Sequence, residues 1–189
     1  MKRLVTIIVS LVVGFICINC NNAEKITGHI VCRCILAPTS VGHDTYLIEV
    51  NDTGLIRTSY GCIPDTIVHI VCKDEKINPI QTRLIENVEK KEESMLGNDD
   101  YHHLIKLIER INVEKCDNPF VEGWFWDDAW MVILMIDDKQ FVYEKSNHPN
   151  KNVNAIVDEL VRLSPIAVSF DKLEGGIEKV FPLITDTVF

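Results

Sequence analysis

Trp124, Phe125, Trp126 and Trp130, interleaved with Asp127 and Asp128, form the densest group of side chains in this chain that could do chemistry. Tryptophan faces stack on sugar rings or anchor a protein partner, and neighbouring carboxylates accept hydrogen bonds from hydroxyls and amides. Trp124, Trp126, Asp127, Asp128 and Trp130 are therefore the candidate ligand- or partner-binding residues. The same residues at a strand entrance serve as core aromatics with solvated aspartates, and that structural reading is the favoured one. Glycoside hydrolysis needs two carboxylates at a fixed separation, one with a raised pKa. Asp127, Asp128, Asp137 and Asp138 are available, but adjacent aspartates are also what turns use.

Other catalytic signatures are missing. His102 and His103 are neighbours on a helix and point about 100° apart, which places them poorly for one metal. The chain has no pair of histidines four apart around a glutamate, no nucleophile elbow and no phosphate loop. Beyond residue 20 there are five cysteines: Cys32, Cys34, Cys62, Cys72 and Cys116. Cys32 and Cys34 are two apart in an extended stretch and face one side of a strand. A metal site would have to add His29, Cys62 or Cys72, and the paired short spacings of structural zinc are absent. Buried thiols acting as small apolar groups are the preferred account. A catalytic thiol needs a base beside it, and the sequence names none. No catalytic residue, metal or cofactor is assigned.

Composition bounds the partners. The chain has 189 residues, 47% of them hydrophobic and 25% charged, which is a globular balance. Its net charge is −9; without the first 20 residues, 17 basic and 28 acidic side chains remain, or −11. That charge argues against nucleic acid or anionic lipid surfaces as the main partner.

Met1-Lys2-Arg3 followed by the apolar run Leu4 to Ile18 has the charged and hydrophobic regions of a secretory signal. The run is short for a spanning helix, which takes about 20 residues. Cys20 follows it, and Asn21 to Lys25 is polar. This arrangement resembles a bacterial lipoprotein precursor, with Asn19 standing where that family places Gly, Ala or Ser. The resemblance implies lipidation of Cys20 and anchorage at the cell-envelope membrane; ordinary cleavage nearby would instead give a periplasmic or secreted protein. Residues 1–20 are thus expected to be a signal and 21–189 a single domain.

Periodicity then supplies the elements. Ala129 to Ile136 is an uninterrupted apolar run of strand length, Asp137 to Gln140 breaks it, and Phe141 to Tyr143 resumes. Both faces of the first strand are apolar, so it is expected to be covered on both sides. A second hairpin is read in Tyr46–Val50 and Leu55–Tyr60, a strand in His29–Leu36, and another β-rich run in Asp65–Cys72. Ile80 to Leu96 fits helix and strand equally. Tyr101, Leu104, Ile105, Ile108 and Ile111 form a helical stripe after an aspartate N-cap, and Val153, Ile156, Val157, Leu160 and Val161 form another that ends at Pro165. Ile166–Phe170 suggests a last strand, and Ile177 to Phe189 is apolar enough to pack back on the domain.

The expected fold is α+β: an antiparallel sheet of two β-hairpins plus accessory strands, with two or three helices mainly on one face. The expected function is a non-catalytic binding domain for a protein or saccharide at the cell envelope, touching membrane only through its N-terminal lipid. The alternative is a small secreted hydrolase using Cys or Asp residues.

Overall fold

The computed structural model describes residues 28–39, 43–113, 129–145 and 150–170. Six strands, β1 (Ile30–Pro38), β2 (Thr45–Asn51), β3 (Leu55–Cys62), β4 (Glu86–Met95), β5 (Trp130–Ile136) and β6 (Lys139–Glu144), form one antiparallel sheet in the order β4-β3-β2-β1-β5-β6. The described residues also form three helices: α1 (Asp65–Cys72), α2 (Asn98–Val113) and α3 (Lys151–Leu163). The class is α+β, as the patterning predicts.

The two hairpins arise from local chemistry. In β2–β3 the side chain of Asn51 accepts from Thr53 N at 3.1 Å, Thr53 Oγ1 at 2.8 Å and Leu55 N at 2.8 Å, closing the turn without help from the core. In β5–β6, Ile136 pairs with Lys139 across a two-residue loop, and Asp137 adopts the left-handed region at φ 51°. A short polar side chain tolerates that conformation where most would not. Strand β1 joins the hairpins, pairing Cys34 with Ile48 on one side and Leu134 on the other.

All seven residues of β5 are buried. Trp130, Val132, Leu134 and Ile136 face a core closed by α2 and α3, through Leu104, Ile108 and Ile111 on one helix and Val153, Ile156 and Leu160 on the other. Met131, Ile133 and Met135 face a smaller core under Ile67 and Val71 of α1. The uninterrupted hydrophobic run therefore marks a strand covered on both faces. Two of the three helices share one face.

Three segments differ from their local patterns or settle them. Asp65–Cys72 is a helix, not a strand: Ile67 and Val71, four apart, are buried, whereas Val68 is 40% exposed. The β-branched composition is overridden because this position on the sheet rewards a one-sided stripe. Ile80–Leu96 is resolved as turns followed by β4. This edge strand is exposed along most of its length and carries Glu89, Lys90, Lys91, Glu92 and Glu93. Such charges keep an open edge from pairing with another chain. Ile166–Phe170 is irregular rather than a strand; Trp130 Nε1 donates to the Phe170 carbonyl at 3.2 Å, so its backbone is engaged by a side chain and not by a ladder.

A side-chain cap sets the start of α3, whereas α1 starts after Pro64 with no side-chain cap bond. The Asn150 side chain accepts from Asn152 N at 2.8 Å and Val153 N at 3.3 Å to start α3, which stops before Ser164 and Pro165. Helix α2 begins at Asn98, so Asp99 and Asp100 lie in its first turn rather than at the cap, where they complement the helix dipole. No helix among the described residues is long and apolar enough to cross a membrane.

Candidate functional site

Of the residues singled out in the sequence, Trp130 lies at the start of β5 and is 5% exposed. Its ring centroid is 6.2 Å from that of Tyr46 and 5.2 Å, edge-on, from that of Phe170; Tyr46 continues the row to Tyr60 at 5.1 Å. Trp130 thus spends its aromatic surface inside the larger core. Trp124, Trp126, Asp127, Asp128 and Cys20 lie outside the described residues. Asp137 and Asp138 form the β5–β6 turn.

A groove of about 1020 Å³ opens among the described residues, lined by β1, β2, β3, the β5–β6 hairpin and the segment that follows α1. Its floor comes from strand register. Arg33 on β1 pairs with Glu49 on β2, Glu49 with Arg57 on β3, and Arg57 with Glu93 on β4. Four alternating charges therefore cross four strands in one row, on the face away from α2 and α3. Arg33 Nε donates to Glu49 Oε1 at 2.8 Å, and the Arg57 guanidinium bonds Glu93. Cross-strand neighbours of opposite charge stabilise a sheet, and here they let charged groups occupy a face that is otherwise apolar.

One wall of the groove is the segment around Ile77, Pro79 and Ile80, the last 91% exposed. Gln140 of β6 holds this wall: its Oε1 accepts from Ile77 N at 2.8 Å, and its Nε2 donates to the Glu75 carbonyl at 3.2 Å. Lys76 Nζ adds a bond to the Asp138 carbonyl at 3.0 Å. The wall is therefore fixed to the β5–β6 hairpin. The Arg33–Glu49 and Arg57–Glu93 charges on the groove floor are paired with each other, so a charged ligand binding there would have to displace a partner. Hydroxyls and amides need not, because they can accept from Arg33 and donate to Glu49 while the pair stays intact.

The cysteines divide into two kinds. Cys32 and Cys34 face the same core, as their spacing requires. Burial pushes the Cys32 thiol up to about 12, and burial followed by the neighbouring Cys32 pushes Cys34 higher still. Both behave as small apolar side chains. Cys62, at the end of β3, belongs to neither core, and its Sγ lies 3.3 Å from His43 Nδ1. Nineteen residues separate the two, so no sequence pattern announces the contact. It follows from the β2–β3 pairing, in which Thr45 stands opposite Gly61. The four described cysteines, Cys32, Cys34, Cys62 and Cys72, are all free thiols. Among the described residues no three His, Cys, Asp or Glu side chains converge as a metal site.

Comparison with protein-family models and with curated proteins finds no match to this chain.

Proposed function

We propose that this chain is a non-catalytic binding domain, held at a bacterial cell-envelope membrane by lipid on Cys20, that takes a segment of protein or saccharide in the groove over Arg33, Glu49 and Arg57. The groove carries this reading. Its wall is hydrogen-bonded to the β5–β6 hairpin, it sets apolar side chains beside a row of paired charges, and the Arg33–Glu49 pair can bond hydroxyls and amides without being broken. Ligand sites commonly combine apolar lining with a few fixed polar groups in this way. The signal-like N-terminus, the placement of Cys20 and the acidic balance of the remainder support presentation outside the cell without a nucleic-acid partner.

The test is an NMR titration of residues 21–189 with soluble glycan oligomers and, separately, with short uncharged peptides. Binding by one class, with shifts centred on Arg33, Glu49, Arg57 and Ile77 and weakened by Arg33→Gln, is expected. No binding from either class, or shifts confined to the α2–α3 face, would overturn the reading. Intact mass from native membranes tests the lipid on Cys20 independently.

The second reading, a small hydrolase, gains one specific observation: the Cys62–His43 contact supplies the nucleophile and base that acyl transfer requires. Turnover of activated esters that is lost in Cys62→Ser would favour it over the binding domain.

A further inference from the structure

We propose that Cys62 and His43 form a reactive thiol pair that exchanges with low-molecular-weight disulfides. The pair is separate from the groove and independent of its ligand. The attacking species in thiol chemistry is the thiolate, and an imidazole at hydrogen-bonding distance is the side chain best suited to take the proton.

Several features place the thiol for this role. Opposite β3, Tyr60 pairs with Lys90 but Cys62 pairs with Glu86, so a single β3 residue, Gly61, faces an expanded stretch of β4. Asn87 in that stretch adopts φ 47°. Irregularities of this kind bend a strand and re-aim its side chains. Here Cys62 lies at the sheet end outside both apolar clusters, still buried at 9% exposure, with its Sγ against the exposed His43 that borders solvent. By contrast, Cys32 and Cys34 are shut in the core, and partial burial raises the thiol of the more exposed Cys72.

The step balances as follows. His43 Nδ1 accepts the Sγ proton, and the Cys62 thiolate attacks one sulfur of the disulfide. The bond from Cys62 Sγ to that sulfur forms, the original S–S bond breaks, and the released thiolate takes the proton from His43. Cys62 is oxidised to the mixed disulfide while one half of the small disulfide is reduced to a thiol.

The experiment incubates native protein with oxidised glutathione across about pH 6 to 8 and maps the adducts by peptide mass. Wild type, His43→Gln, Cys62→Ser and Cys72→Ser are compared, with circular dichroism as the check on folding. The expected result is a glutathione adduct on Cys62 that forms before any on Cys72. His43→Gln should slow it about tenfold near neutral pH and steepen its pH dependence, as loss of a proton acceptor does. Modification of Cys72 first, equal rates in wild type and His43→Gln, or labelling of Cys62 only after unfolding would overturn the proposal. If Cys62→Ser fails to fold, the rate and pH profile of His43→Gln decide the matter alone.

Discussion

Arg33 on β1 and Glu49 on β2 meet through a single hydrogen bond of 2.8 Å, with side-chain exposures of 22% and 13%. The pair opens a charge row that continues to Arg57 and Glu93, and each member is the cross-strand neighbour of the next. The row occupies the part of the sheet that α1 does not cover, and it makes the groove polar at its floor.

Removing one member of this pair should therefore cost more than removing both. Glu49→Leu leaves the Arg33 guanidinium half-buried without its carboxylate, and the expected loss is about 1–3 kcal/mol. The double variant Arg33→Met/Glu49→Leu should recover part of it, since an apolar pair suits this face. Denaturant unfolding of the four members of the cycle measures the coupling. Strictly additive losses would show that the two side chains do not interact.

The buried thiols predict an alkaline limit to stability. The Cys32 thiol is raised from 9.0 to about 12 on folding because burial disfavours its charged form. Its contribution is fully present below about pH 9 and is lost as pH rises toward about 12. The urea midpoint should fall over that window, and the fall should be shallower in Cys32→Ala than in wild type. A parallel profile for the two proteins would remove Cys32 from the account.

At Gly61 the limit is space. A Cβ built there would lie 2.6 Å from the Glu86 carbonyl oxygen and 3.0 Å from that of Asn87, both of them backbone atoms of the neighbouring chain segment. Gly61→Ala must push β4 away and is expected to cost about 2 kcal/mol. Hydrogen exchange read residue by residue should show β4 amides losing protection before those of β5. Unchanged protection in β4 would mean that the strand accommodates the methyl group.

Asn150 offers a cleaner local test. Its side chain caps two backbone N–H groups of α3, so Asn150→Ala should lower stability by about 1 kcal/mol, and Asn150→Asp should retain most of it. Thermal unfolding of the two variants separates the cap from any general effect of substitution at that site.

Much of the fold was legible in the sequence because it rests on short-range patterns. The apolar run of β5, the Asn51 and Asp137 turns, and the stripes of α2 and α3 are each set within a dozen or so residues, where periodicity and turn chemistry act. The same-side placement of Cys32 and Cys34 follows from strand geometry alone. Tertiary structure decided what depends on partners distant in sequence. Asp65–Cys72 is helical because the second face of the sheet accepts Ile67 and Val71 from a helix, despite a β-branched composition. Trp130 enters the core because β1 and β5, about a hundred residues apart, pair side by side and α2 and α3 close over them. The row from Arg33 to Glu93 and the contact of Cys62 with His43 exist only once strand register has brought separate segments together. Side chains with no local period between them leave no mark in the sequence, and only the paired sheet makes them neighbours.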